Sequence, residues 1–140
     1  MIPRDNYLNL LIEFKDKELI KVVTGIRRCG KSTLYELYRE YLKNTGIAEE
    51  QMIAVNLEDP EFGEIKSYKD LYNYVSERLL PNKKNYVFLD EVQKVQDFQE
   101  ACDGLYIKKN VDLYITGSNA NILSGELATL LSGRYVEIKM

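Results

Sequence analysis

Histidine and tryptophan are absent from this sequence of 140 residues, and cysteine occurs only twice. The chain therefore lacks most of the nitrogen and sulfur ligands from which zinc sites are built, and we expect no zinc and two free thiols. Long apolar runs are lacking as well. None approaches the roughly 20 residues that a membrane-spanning helix needs, so the sequence predicts no membrane segment.

A large excess of charge of either sign is also missing. Lysine and arginine number 19, aspartate and glutamate 22, and the net charge is -3. The chain as a whole thus gives no electrostatic argument for binding nucleic acid, which stays open as a partner. The pairs Lys83-Lys84 and Lys108-Lys109 are expected to be solvated. Charged residues already interrupt the first 13 residues, which excludes a signal peptide pattern there and predicts a cytoplasmic protein.

What the chain does contain is an alternation of β-like and helix-like segments. Apolar residues at helical spacing predict a leading helix within residues 1–18 that packs on a core formed by residues 19–140. Predicted strands alternate with predicted helices, which favours an α/β fold with a parallel sheet covered on both faces. The strands are predicted at 19–24, 52–57, 86–89, 111–116 and 135–140, and later helices at 34–42, 67–80, 97–106 and 122–131.

Two helix starts carry capping signals. Ser67 and Asp70 have the spacing of a capping box, and Pro81 is expected to end the helix that they begin. Asp97 is expected to cap the following helix with its side chain. These signals place the helices between the strands of the predicted sheet.

The segment between the first strand and the following helix has the spacing G-x-x-x-x-G-K-[ST], which is typical of a phosphate-binding loop. Its glycines let backbone N–H groups face phosphates at the positive end of the helix. Lys31 is predicted to bridge the β- and γ-phosphates, and the Ser32 hydroxyl to bind Mg²⁺. A glycine-rich turn with an incidental lysine is the alternative. The segment reads Gly25-Ile26-Arg27-Arg28-Cys29-Gly30-Lys31-Ser32.

Two acids, Asp90 and Glu91, follow the apolar strand at 86–89. They come at the carboxyl end of the strand, where open parallel sheets bind their ligands. Asp90 is predicted to hold Mg²⁺, and Glu91 to orient and deprotonate an attacking water. Paired acids that cap the next helix are the alternative interpretation.

Hydrolysis of ATP is the chemistry that this pattern favours. A nucleotide kinase would share the loop but would need an acceptor pocket and an arginine-rich lid. A GTPase is disfavoured because no N-K-x-D motif occurs. Binding of nucleotide as a structural or switching ligand, without turnover, is the non-enzymatic alternative.

Four motifs in this order resemble the prokaryotic AAA-type (AAA+) P-loop ATPases in which such a domain precedes a C-terminal domain of uncharacterised function. The resemblance implies a five-stranded sheet in the order 5-1-4-3-2 with helices on both faces, Mg-ATP as ligand, and Thr33 as part of the nucleotide loop. The motifs are Gly25 through Thr33, Phe88-Leu89-Asp90-Glu91-Val92-Gln93, Tyr114-Ile115-Thr116-Gly117-Ser118-Asn119, and Leu123-Ser124-Gly125-Glu126-Leu127 running to Gly133-Arg134-Tyr135.

The resemblance also implies roles for residues outside the loop. Asn119 matches a sensor residue that contacts the γ-phosphate or the attacking water, although Ser118 and Asn119 together also fit a helix cap. Arg134 matches an arginine finger that reaches the site of a neighbouring subunit, which would require a homo-oligomer; an ion pair with a surface acid is the alternative. Asn56 fits either a polar switch on Glu91 or a turn.

The same family usually closes over the adenine with a helical lid after the fifth strand. The 140 residues contain no such segment. We therefore expect a lid and effector domain to be absent from this chain, and ATP binding and hydrolysis by these residues to be weak.

Overall fold

The computed structural model describes residues 4–26, 28–118, 122, 130 and 133–140, with residues 4 and 5 described by their backbone only. The helix predicted at 122–131 lies outside this set apart from Ile122 and Leu130. Within the described ranges, no helix combines the length and the apolar character required to cross a bilayer. The described helices are α1 (Arg4–Glu13), α2 (Lys31–Asn44), α3 (Tyr68–Ser76) and α4 (Phe98–Tyr106), and the strands are β1 (Ile20–Thr24), β2 (Met52–Asn56), β3 (Asn85–Asp90), β4 (Val111–Gly117) and β5 (Tyr135–Lys139).

The strands form one five-stranded sheet in the order β2-β3-β4-β1-β5, and every pairing is parallel. This confirms the order expected from the resemblance, counted from the opposite edge. Val22 of β1 lies opposite Ile115 of β4 and Glu137 of β5, which fixes the register at the centre. Because all strands run the same way, their carboxyl ends meet along one side of the sheet, the carboxyl edge, and their amino ends along the other, the amino edge.

Helices cover both faces of the sheet, as predicted. On one face α1 and α2 enclose an aromatic core in which Tyr35, Tyr38, Phe88 and Tyr114 are fully buried. The rings of Phe88 and Tyr114 stack with centroids 4.9 Å apart. On the other face α3 and α4 pack on aliphatic side chains of the central strands, and Leu71 of α3 is fully buried there. The β-branched and apolar strands therefore sit between two helical layers.

A buried ion pair joins β1 to β4 near the amino edge. The Lys21 side chain is fully buried, and its Nζ lies 2.6 Å from Asp112 Oδ1. The other oxygen of Asp112 accepts hydrogen bonds from Tyr114 Oη at 2.7 Å and from the backbone N–H of Asp16 at 2.9 Å. Burial lowers the pKa of Lys21, and the adjacent Asp112 opposes that shift.

Of the three predicted helix signals, one is confirmed, one holds in part and one is wrong. Ser67 Oγ accepts from the N–H of Asp70 at 3.2 Å and Asp70 returns the bond, which confirms the capping box. Helix α3 ends at Ser76, before Pro81. The cap predicted at Asp97 is wrong: the residue precedes α4, but its φ of 58° is left-handed and its side chain makes no capping hydrogen bond. Side-chain caps require extended backbone at this position.

Candidate nucleotide-binding site

The loop between β1 and α2 starts and ends at glycines that have structural reasons to be glycine. A Cβ on Gly25 would lie 2.7 Å from Cys29 Sγ, closer than two such atoms can approach. Gly30 stands directly before α2 with a φ of 103°, a conformation that favours glycine. Together they turn the chain sharply from the carboxyl edge into the helix. Arg27, predicted to belong to this loop, lies outside the described residues.

The first turn of α2 has the properties of an anion site. Among the described residues, no side chain caps this end, and the first turn contains no acid. The first N–H groups of a helix have no partner within it, and the helix dipole makes them attractive to negative charge. They face a cleft of about 330 Å³. The described residues that line it are Arg28, Gly30, Lys31, Ser32, Thr33, Glu58, Glu91 and Ser118.

Lys31 places its ammonium group between the loop and the strand ends. Only 6% of the residue is exposed. Its Nζ donates to the carbonyl oxygens of Gly25 at 2.8 Å and Ile26 at 3.0 Å, and to Ser118 Oγ at 3.1 Å. Ile26 thus serves the site through its carbonyl, since its side chain is 77% exposed. Glu91 Oε1 lies 3.9 Å from the ammonium.

Asp90 is held by Thr116, which lies near the carboxyl end of the neighbouring strand β4. Thr116 Oγ1 donates to Asp90 Oδ1 at 3.0 Å and accepts from the backbone N–H of Glu91 at 2.9 Å. Burial raises the pKa of Asp90 to about 6, and the charge of Glu91 adds to this, whereas Thr116, Arg39 and Lys31 act in the opposite direction. A buried carboxylate of this kind is stabilised in its charged form by a nearby cation.

Glu91 has its carboxylate turned toward the loop. The residue has a left-handed backbone with a φ of 58° and is 6% exposed. Ser118 Oγ donates to both carboxylate oxygens, at 2.5 Å to Oε2. Gln93 Nε2 lies 3.4 Å from the same oxygen, and Gln93 Oε1 is buried with no partner among the described residues. Ser118 is therefore the link between Lys31 and Glu91.

The role of Ser118 was not predicted from the sequence, which indicated only a helix cap at this point. A signal was present, because Ser118 directly follows β4 as Glu91 directly follows β3. Those two strands are neighbours in the sheet order implied by the resemblance. Residues that follow adjacent parallel strands must lie side by side.

Other predicted site residues lie elsewhere. Asn119 is outside the described residues. Arg134 lies at the amino edge, where its carbonyl accepts from the N–H of Ile20 at 2.8 Å. It is separated from Gly25 by the length of β1, five residues or about 16 Å. Its guanidinium pairs with Asp103 at 3.2 Å, so a contact with a triphosphate would need a second copy of the chain.

Asn56 forms a turn at the end of β2. Its Oδ1 accepts from the N–H of Glu58 at 3.1 Å. This geometry corresponds to the turn interpretation of Asn56, and the side chains that hydrogen-bond the Glu91 carboxylate here are Ser118 and Gln93.

Comparison with known proteins places these features in a family. An uncharacterised protein of Haemophilus influenzae is 49% identical over 141 aligned residues, which cover 100% of this chain and 35% of that protein. The chain thus spans about a third of the length of this relative.

Solved structures show the same fold at low sequence identity. A DNA polymerase III gamma subunit-related protein of Thermotoga maritima has a TM-score of 0.67 at 14% identity, covering 95% of this chain and 45% of that one. The Drosophila ORC bound to AT-rich DNA and Cdc6 has a TM-score of 0.62 at 14% identity, covering 97% and 53%. Residues 17–140 match the model of a family described as AAA domain. The chain therefore belongs to this AAA domain family, whose proteins are of the nucleotide-binding, P-loop ATPase type.

Proposed function

We propose that the chain binds Mg-ATP in the cleft at residues 25–33 and hydrolyses it to ADP and phosphate, so that turnover drives a conformational change or the assembly of an oligomer. One observation carries the proposal. Lys31 of the phosphate loop and Glu91 at the carboxyl end of β3 both contact Ser118, within one cleft. This arrangement supports the assignment of Lys31 to the phosphates and of Glu91 to the attacking water.

The residues of the cleft fit a magnesium-bound triphosphate. The uncapped amides of α2 and the Lys31 ammonium supply donors for phosphate oxygens. Ser32 and Asp90 are the residues that would hold Mg²⁺, and the raised pKa of Asp90 indicates a carboxylate that gains from a neighbouring cation. When bound, the ion would neutralise charge on the phosphates. Lys31 can then exchange its carbonyl and serine partners for phosphate oxygens.

Glu91 is the residue that we assign to the attacking water. Its carboxylate can orient the water and accept its proton. In the structure both of its oxygens accept from the Ser118 hydroxyl, which fixes the orientation of the carboxylate. Since Ser118 also accepts from Lys31, movement of Lys31 toward phosphate changes the hydrogen bonding of Glu91. Ser118 is thus a positioning residue for Glu91.

A nucleotide-binding switch without turnover is the second candidate. The contact of Ser118 with both oxygens of Glu91 favours it, because the hydroxyl competes with water for this carboxylate. The two candidates differ in one measurable property, the release of phosphate from bound ATP. A homo-oligomer that uses Arg134 belongs to the first candidate, since Arg134 lies far from the loop of its own chain.

The proposed function is tested by phosphate release from Mg-ATP, with Ser118→Ala compared with the wild type and a chelator as background. Wild-type release should depend on Mg²⁺. We expect Ser118→Ala to lower kcat by about tenfold, the value of one charge-assisted hydrogen bond, with little change in KM. The reason is that Glu91 loses its positioning partner while the phosphate contacts remain.

Ser118→Thr is the matched control, because it keeps the hydroxyl and should restore most of kcat. A rise in KM at unchanged kcat in Ser118→Ala would instead assign Ser118 to nucleotide binding. Absence of Mg-dependent release by the wild type would favour the switch without turnover.

A further inference from the structure

Cationic residues precede four adjacent strands of the sheet. Lys84 directly precedes β3 and Arg134 directly precedes β5, while Lys108 and Lys109 come just before β4, and Lys17 just before β1. The order β3-β4-β1-β5 is continuous within the sheet. Because the strands are parallel, these five residues gather at the amino edge, and we call them the basic edge.

The basic edge lines a cleft of about 330 Å³ on the side of the sheet opposite the phosphate loop. Among the described residues that line it, five are cationic and one, Glu18, is acidic. The chain as a whole has a net charge of -3, so positive charge is concentrated here against the overall balance. Such local concentration favours an anionic partner over a neutral one.

Three acids near the basic edge pair with cations, whereas Glu18 has no cationic partner within 4.0 Å among the described residues. Asp112 pairs with the buried Lys21 at 2.6 Å, and Asp16 with Lys15 at 2.8 Å. Asp103 pairs with Arg134 at 3.2 Å. Among the described residues, no carboxylate oxygen lies within 4.0 Å, the limit for an ion pair, of the ammonium groups of the four lysines of the edge. No described carboxylate therefore neutralises these four ammonium groups.

Apolar surface lies beside these charges. Tyr106 forms one wall of the cleft, and its hydroxyl donates to the carbonyl of Glu18 at 2.9 Å, which fixes the ring at the edge. The neighbouring Ile107 is 66% exposed. Adjacent strands are about 4.8 Å apart, so the cations repeat at short intervals along the edge. A groove of repeated cations with an aromatic wall is the arrangement that binds single-stranded nucleic acid without reading its sequence.

We propose that the basic edge binds the sugar–phosphate backbone of single-stranded nucleic acid, with a base against Tyr106. An acidic peptide would meet the same charges, but its carboxylates make no use of the ring. A duplex is a poorer fit because the cleft is a local hollow of about 330 Å³, at the small end of ligand pockets. The site is separate from the phosphate loop and does not depend on hydrolysis.

The test is fluorescence anisotropy of a labelled oligothymidine of roughly 16 nucleotides, the upper range of comparable site sizes. The triple variant Lys84→Gln, Lys108→Gln, Lys109→Gln removes three charges of the edge. We expect its affinity to fall at least tenfold. The slope of log affinity against log salt should become shallower by about 2, since single strands contribute about 0.7 per phosphate contact.

The control variant carries Lys66→Gln, Lys69→Gln and Lys139→Gln, three exposed lysines outside the basic edge with the same change in net charge. It should bind within about twofold of the wild type if only the edge makes phosphate contacts. Circular dichroism melting shows whether each variant is folded.

Three results would overturn the proposal. The first is equal loss of affinity in both triple variants, which would indicate net charge alone. The second is that polyglutamate or a duplex displaces the labelled oligothymidine as effectively as unlabelled oligothymidine does. The third is no binding by the wild type at low salt.

Discussion

Replacement of Glu91 by glutamine should lower the rate of phosphate release from Mg-ATP by about 10²- to 10⁴-fold, the usual contribution of a general base. Glutamine keeps the size of the side chain and can still meet Ser118 and Gln93, but it cannot accept a proton from water. Affinity for ATP should change little because Glu91 is not assigned to the phosphates. Phosphate release at saturating ATP, together with a nucleotide titration, measures both quantities.

Glu61→Gln is the matched control for this experiment. Glu61 is an exposed acid in the turn region after β2, so the substitution makes the same change of charge at the same end of the sheet. Its turnover should equal that of the wild type. Turnover of Glu91→Gln within about threefold of the wild type would remove Glu91 as the base. Light scattering of Glu91→Gln in Mg-ATP also shows whether trapped ATP enlarges the oligomer. An arginine finger at Arg134 requires such an oligomer.

Replacement of Asp112 by asparagine should reduce the free energy of unfolding by about 3–5 kcal/mol, the cost of leaving a buried charge unpaired. Lys21 is fully buried and Asp112 is its ion-pair partner at 2.6 Å. Without that partner, burial lowers the pKa of Lys21 further in the folded state. The loss of stability is then largest at pH values at which Lys21 is protonated in both the folded and the unfolded state. It shrinks as the pH rises toward the usual pKa of lysine. Urea unfolding at several pH values measures it.

Asp103→Asn is the control for the buried pair, because the ion pair of Asp103 with Arg134 is solvent-exposed. It should cost less than about 1 kcal/mol. A second comparison is the double variant Lys21→Met, Asp112→Leu, which should be more stable than Asp112→Asn alone since no charge is left buried. Equal effects of Asp112→Asn and Asp103→Asn would contradict a stabilising role for the buried pair.

The order of elements was predictable because strands and helices differ in apolar period. The β-branched run before Gly25 and the helical stripe after Ser32 identified β1 and α2, and the spacing between them identified the loop. Asp90 and Glu91 were predictable for the same reason, since they end an apolar strand. The family resemblance added the sheet order, which periodicity does not provide.

Contacts between distant segments were not predictable. Ser118 meets Glu91 because β3 and β4 are neighbours, and Lys21 meets Asp112 because β1 and β4 are neighbours. In the sequence Lys21 is a charged position within a mostly apolar strand, with no sign of its partner. The lysines at 84 and 108–109 looked like isolated solvated pairs, whereas the parallel sheet brings them to one cleft. In each case the resemblance supplied the strand order, but not the register and side-chain directions that bring these residues together.

Residues 25–32 should bind the phosphates of ATP. Calorimetric titration of the wild type, Lys31→Ala and Lys43→Ala with Mg-ATP measures this binding. Lys43 lies on the same helix, exposed at its far end. Lys31→Ala should bind Mg-ATP about 10- to 100-fold more weakly than the wild type, because it loses a charged hydrogen-bond donor. Lys43→Ala should bind Mg-ATP like the wild type. Equal affinities of Lys31→Ala and wild type would contradict phosphate binding by residues 25–32.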